Sequence, residues 1–434
     1  MKFSDYNIFI KDNDGTYILT NTFTGSMFRI DEDVKNKIKN NNIEAFNDKD
    51  IEDYKKSGII IDNEIDEKKY LDYMLQKSKF TTEILSITLL LTDLCNLRCI
   101  YCYEGAGEYR KDTLEDTTRE NIFKFIKNQI DKTNARVLSL VLFGGEPLLF
   151  FNENFKWLKE LKYMCENNKI HFQTMIITNG VLITDDILDQ LININCKYIQ
   201  ITLDGIEEIH NKRRMYKGGK GSYIEVLKGI KLAYSKRDNF NLTIRINIDK
   251  ENYNQTFELL EILKREGLVE CSIDFGIVKG GTEACSSYSN YCFEDEEIGD
   301  ILLPLWEKLE ELGFKINTSP TRKTTYCGLY NENSFTISPK GDVYKCWELV
   351  GDEEHLIGKI NNEGEISSIT YKYFDWMAFD PLKIPKCEKC KYLPVCGGGC
   401  GAVSYEKYKT YHSNGCFKVK GIFEKQILRK AKLN

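Results

Sequence analysis

Six apolar, β-branched runs, separated by five helical patterns, constrain this chain more than any other feature. The runs cover residues 85–91, 137–143, 172–178, 198–203, 242–248 and 271–277. Apolar residues at helical spacing fill 114–130, 154–166, 184–193, 222–235 and 253–266 between them. Repeated strand–helix units predict a parallel sheet with right-handed crossovers. Six of them predict an α/β fold, a partial (β/α)6 TIM-like barrel, in which chemistry sits at the C-terminal ends of the strands. The polar clusters of the segment fall on those ends. Cys95 follows the first run, Gly144-Gly145-Glu146-Pro147 the second, Thr178-Asn179-Gly180 the third and Asp204-Gly205 the fourth, while Asn247 closes the fifth.

Cys95, Cys99 and Cys102 stand at C-x3-C-x2-C directly after the first run. Three thiolates on one loop can hold three irons of a [4Fe–4S] cube and leave the fourth open to a small chelating ligand. Zinc would call for a fourth Cys or His nearby, and none follows within the next sixty residues. The N-terminus lacks the apolar core of a signal peptide, and no run reaches the length of a membrane span, so a cytoplasmic protein without a membrane partner is expected. A reducing compartment makes fifteen cysteines read as metal or catalytic ligands rather than disulfides, and four histidines leave little for His-based sites. With 60 basic against 66 acidic residues, a nucleic-acid partner is disfavoured.

The cysteine spacing, with Tyr101 just before the third thiol, resembles the radical S-adenosylmethionine (SAM) superfamily. That resemblance implies a cluster whose open iron takes the amino and carboxylate groups of SAM, and one-electron cleavage of SAM to methionine and a 5′-deoxyadenosyl radical. Gly144, Gly145 and Glu146 match the segment that binds the SAM amino group, with Glu146 bracing it. Tyr101 can offer a ring face to adenine. Gln200 alternates with Ile199 and Ile201 and is expected to point inward. Asn179 and Asn247 are similarly placed for the hydroxyls or the methionyl group. Arg214 matches an arginine that contacts the SAM carboxylate, although Arg213 is as good by charge alone. His210 reads as structural.

A second cysteine field follows a helix expected around 297–312: Cys327, Cys346, Cys387, Cys390, Cys396, Cys400 and Cys416. A hairpin is expected between Phe335 and Tyr344, and Gly397-Gly398-Gly399 lets backbone fold tightly. Two structural zinc sites could use this many thiolates. The full spacing, with Gly341, resembles the SPASM extension of radical SAM enzymes, which implies two auxiliary [4Fe–4S] clusters, three clusters in all. By that resemblance Cys387, Cys390, Cys396 and Cys416 hold the distal one, and Cys327, Cys346 and Cys400 the nearer. The nearer then keeps an open iron, or Cys285 or Cys292 completes it. Cys165, Cys196 and Cys271 read as buried small apolar residues.

Residues 1–80 read as a hairpin, helices after Asp31 and over 48–56, and a strand at 59–61. This winged-helix-like α+β unit either covers the barrel or resembles the modules that bind a leader peptide by strand addition. The expected division is 1–80 for peptide recognition, 81–294 for the barrel and 295–434 for the auxiliary clusters, ending in a basic surface helix with Lys418 and Lys420. The resemblance implies a maturase of ribosomally made peptides that forms Cys thioether cross-links, fed by a flavodoxin or ferredoxin. An anaerobic sulfatase-maturing enzyme is the alternative, weakened where Cys346-Trp347-Glu348 lacks the expected Asp. A non-enzymatic iron–sulfur or zinc scaffold ranks last.

Overall fold

The computed structural model describes residues 1–280, 283–316, 318, 320–417, 419 and 421–433; Lys418 and Lys420 lie outside the described residues. Six strands, Ile84–Thr92, Val137–Gly144, His171–Thr178, Cys196–Thr202, Asn241–Ile248 and Ser272–Ile277, lie side by side in chain order, all parallel. Helices Asp116–Thr133, Phe151–Asn167, Asp185–Asn193, Tyr223–Ser235 and Tyr253–Arg265 connect them. Ile87, Leu89, Leu90 and Leu91 on the first strand are all fully buried. A strand covered on both faces needs such a continuous apolar run. The helices supply one cover: Ile122, Phe125, Ile126 and Ile130 are the buried stripe of Asp116–Thr133.

The sheet is larger than the alternating pattern. Ser334–Ile337 pairs parallel to the first strand, with Ser334 opposite Ser86. Asp342–Tyr344, Gly358–Ile360 and Ile366–Ser367 then extend it antiparallel to ten strands. The expected hairpin is present, but it is welded onto the barrel sheet rather than free. Around it, Tyr330, Trp376, Phe379 and Tyr411 build an aromatic core that includes Cys346 and Cys387.

At the N-terminus, Asn7–Lys11, Tyr17–Asn21 and Met27–Ile30 form a three-stranded antiparallel sheet. Asp31 caps helix Glu32–Lys39 by accepting from the Val34 N–H at 2.8 Å. The strand expected at 59–61 does not return to that sheet; Ile60–Ile61 pairs with Lys2–Phe3 instead. Helix Glu67–Phe80 was not foreseen. Ile8, Ile10 and Ile18 pack against Val395, Phe423 and Ile427, so this region leans on the C-terminal third. Among the described residues, no helix is long and apolar enough to cross a membrane.

Candidate active site

Because the six strands are parallel, Thr92, Gly144, Thr178, Thr202, Ile248 and Ile277 end on one rim. The cysteine loop is pinned there from two sides. Gly145 and Glu146 donate their backbone N–H groups to the carbonyls of Thr92 and Leu94, both at 2.9 Å. A β-carbon at Gly144 would collide with the Thr92 carbonyl oxygen, and one at Gly145 with that of Leu94. The close approach these glycines permit within the chain is therefore to the cysteine loop. On the other side, Leu97–Cys99 pairs antiparallel with Arg214–Tyr216, Arg214 standing opposite Cys99.

Cys95, Cys99 and Cys102 are half-buried on this pinned loop and form no disulfide. The Cys95 thiol is pushed up to about 12 by burial and then by Glu146, Cys99 and Cys102, which puts the three sulfurs in one electrostatic neighbourhood. Metal binding to such a set must release protons. Glu146 is fully buried, and burial raises its carboxyl against the hydrogen bonds it accepts. Those come from Thr178 Oγ1 at 2.7 Å, the Asn179 N–H at 2.7 Å and the Leu148 N–H at 3.0 Å. The Asn179 side chain in turn donates to Asn96 Oδ1 at 2.7 Å and lies 3.9 Å from Cys95 Sγ. Glu146 thus ties the third strand to the cysteine loop.

Tyr101 is at the centre of a second knot. Its hydroxyl donates to Asp204 and accepts from Arg214 Nη1 at 2.7 Å and Asn247 Nδ2 at 3.2 Å. One face of its ring carries the Arg213 guanidinium, 5.0 Å from the centroid. Arg213 itself is held by Asp249 at 2.7 and 3.1 Å and by the Tyr288 hydroxyl at 2.9 Å. Arg214 instead donates to the Tyr101 hydroxyl and stands 3.8 Å from Asp204, and the Nε of both arginines is buried without a hydrogen bond. The two arginines, equal in the sequence, therefore differ in place. His210 is buried and neutral: burial, then Arg214 and Arg213, lower its pKa, while Nδ1 accepts from the Asp204 N–H and Nε2 meets Ser222 Oγ at 3.0 Å. Gln200 is half-buried and accepts from the Tyr198 hydroxyl at 3.3 Å, apart from the cysteine loop. Sequence reading left Asp204 without a role and missed Asp249; their signal is only their position at strand ends.

The second cysteine field separates into two groups. Burial pushes Cys346 well up, with Glu348, Cys400 and Cys327 adding to it. Cys396 is pushed up to about 11 by burial, then by Cys416 and Cys390, the last of which follows Cys387 by one turn. The Gly397-Gly398-Gly399 backbone has φ of +72°, +104° and +90°, and Gly399 pairs with Gly415, each one residue before a cysteine of the field. Cys292 contacts Tyr288 and lies near Asp249 and Cys285. Cys165, Cys196 and Cys271 are buried.

Among the described residues, the group of three or more metal-type ligand atoms lying within 4.8 Å of one another is Asp352, Glu354 and His355, which contains no cysteine. Thiolates on one tetrahedral zinc would sit about 3.8 Å apart, from Zn–S bonds of about 2.3 Å.

A cavity of about 820 Å³ joins the rim to the second field, lined by Tyr101, Asn247 and Ile277 on one side and by Trp347, Glu348 and Tyr405 on the other. Next to the cavity the rings of Phe143 and Trp347 lie 6.3 Å apart, joining the second strand to the C-terminal third. That volume suits a cofactor together with part of a second molecule.

Residues 89–263 match the model of the radical SAM superfamily. The serine-type anaerobic sulfatase-maturating enzyme of Bacteroides thetaiotaomicron is 24% identical over 343 residues, 71% of this chain and 80% of that one. In fold, the chain is similar to native anSMEcpe with bound AdoMet and the Cp18Cys peptide, with a TM-score of 0.61, 20% identity and coverage of 81% of this chain and 98% of that one. It is similar as well to Streptococcus suis SuiB bound to precursor peptide SuiA, with a TM-score of 0.54, 17% identity and coverage of 97% and 100%.

Proposed function

We propose, for a chain that carries a radical SAM domain at residues 89–263, that it is a maturase which modifies a ribosomally made peptide by abstracting hydrogen from carbon. The observation that carries the reading is the continuity of the site: a pinned three-cysteine loop opens into a cavity whose far wall belongs to a second cysteine field. A [4Fe–4S] cluster on Cys95, Cys99 and Cys102, when bound, supplies the electron that splits SAM into methionine and a 5′-deoxyadenosyl radical. Gly144, Gly145 and Glu146 hold that loop against the second strand. Arg214 offers a cation, and Asn179 and Asn247 hydrogen-bonding groups, for the polar end of SAM. Tyr101 completes its surroundings on the rim, with Gln200 farther in on the fourth strand. Closure of the cavity by the C-terminal third excludes water.

In this reading residues 1–80 recognise the leader segment, 81–294 form the barrel and 295–434 hold two auxiliary clusters on Cys327, Cys346 and Cys400 and on Cys387, Cys390, Cys396 and Cys416. A leader could add as a strand along an edge of the three-stranded sheet, whose outer strands are Asn7–Lys11 and Met27–Ile30. The reaction proposed is formation of Cys thioether links. In each link one hydrogen would leave carbon as part of 5′-deoxyadenosine, the thiol proton would go to solvent, and the remaining electron would pass to the nearer auxiliary cluster, so the product is two hydrogens lighter. A flavodoxin or ferredoxin would deliver the electron.

The second reading, formylglycine formation on a sulfatase-like peptide, is favoured by Glu348. Its carboxylate lines the cavity and lies near Cys346, 3.6 Å from Lys279, where a base could receive a proton. One experiment separates the two. Cys-containing peptides encoded beside this gene are incubated anaerobically with reconstituted enzyme, SAM and reductant, then sequenced by tandem mass spectrometry. A loss of two hydrogens per link with a thiol no longer alkylatable supports thioether formation. An aldehyde at a consumed Cys or Ser supports the alternative, and SAM cleavage with every peptide unchanged contradicts both assignments for those peptides.

A further inference from the structure

Glu104 follows the cysteine loop by two residues and lines the large cavity beside Arg110. Its side chain is 9% exposed, yet Oε1 accepts no hydrogen bond. Asp93 across from it is in the same condition: Oδ1 is buried and unsatisfied. One guanidinium stands between the two carboxylates, Arg110 Nη2 at 3.4 Å from Asp93 and 4.0 Å from Glu104. Its Nη1 is already donated to the Val350 carbonyl. Two other cations on the cavity wall are engaged, Arg245 by Asp274 and by Asn247 Oδ1 at 3.0 Å and Lys279 by Glu348 at 3.6 Å, while Lys409 also lines the cavity. Two buried carboxylates thus share one cation, and Glu104, which carries an unmet buried acceptor, belongs to the wall of the space that a substrate would enter. Leaving such an acceptor buried without a donor is unfavourable.

We infer that Glu104 is a specificity residue which receives a cationic side chain, a lysine ammonium or an arginine guanidinium, from the substrate peptide. This rests on the peptide reading above. An incoming N–H donor would complete Oε1, and its charge would offset the excess that Arg110 leaves. A charge-assisted hydrogen bond of this kind is stronger than one between neutral groups. A neutral residue of the same length would leave Glu104 as it stands.

The test uses the reconstituted full-length protein with SAM and fluorescein-labelled hexapeptide pools. The pools contain Cys and are identical except for one fixed position, which is Lys, Arg or norleucine. The Lys and Arg pools are expected to bind about tenfold tighter than the norleucine pool. Glu104→Gln should remove that preference, and Glu104→Asp should retain part of it. The wild-type preference and the Glu104→Asp result stand even if Glu104→Gln fails to assemble. Equal binding of all pools by the wild type overturns the cation subsite and leaves the peptide reading intact. A preference that survives Glu104→Gln overturns the assignment to Glu104. Binding of none of the pools overturns the cation subsite, while the peptide reading, in which residues 1–80 hold a leader that the hexapeptides lack, stands or falls by the cross-linking experiment.

Discussion

Arg213 and Arg214 are neighbours of the same type, and the structure gives them different work. Arg213 is clamped by buried Asp249 and Tyr288, whereas Arg214 points to Tyr101 and stands opposite Cys99. Removing one partner of a buried ion pair leaves the other charge uncompensated, so Arg213→Ala should cost about 3–5 kcal/mol in urea unfolding. Arg214→Lys keeps a cation but loses the planar fork, and should weaken SAM binding about tenfold in equilibrium dialysis while moving the urea midpoint little. A reversed pattern would exchange their roles. The sequence could not separate the two, because Asp249 lies far along the chain and no local period points to it. Glu104 and Arg110 were overlooked for a related reason: nothing in the sequence reveals that one guanidinium has two carboxylates to satisfy.

At the scale of elements, the parallel strands were legible because a strand buried on both faces needs an unbroken apolar run. The Ser334–Ile337 hairpin was legible too, from its alternation and its Pro-Lys-Gly turn, but its docking on Ile84–Thr92 was not. Pairing between segments some 250 residues apart, Ser334 opposite Ser86, leaves no trace in either one. Helix Glu67–Phe80 escaped notice because its buried apolar stripe is only Leu71 and Leu75, flanked by buried Glu67 and Lys79. The Gly144-Gly145 pair resembles a SAM-binding segment in the sequence, yet only the structure reveals that the cysteine loop packs against it. Gly145→Ala should therefore destabilise the fold by about 1–3 kcal/mol through overpacking against Leu94. It should also lower the iron bound on reconstitution. Unchanged iron content and an unchanged thermal midpoint would contradict this.

For the whole molecule, the contacts run from the first residues to the last. Ile8, Ile10 and Ile18 cover Val395, Phe423 and Ile427, and Lys391 Nζ donates to the Asn7 carbonyl at 3.0 Å. Each fully buried side chain of this kind contributes about 1.5–3 kcal/mol. Deleting residues 1–61 is thus expected to expose an apolar patch and produce aggregates in size-exclusion chromatography with light scattering. A monodisperse truncated protein with full iron content would make the N-terminal region a separable module instead.

The central claim is that Cys95, Cys99 and Cys102 hold a cluster that cleaves SAM. Anaerobic reconstitution followed by quantification of iron and of 5′-deoxyadenosine, for the wild type and for Cys95→Ala, tests it most directly. The account predicts about twelve irons and 5′-deoxyadenosine for the wild type, against about eight irons and none of the product for Cys95→Ala. Undiminished 5′-deoxyadenosine from Cys95→Ala, or tightly bound zinc in place of iron, would contradict it.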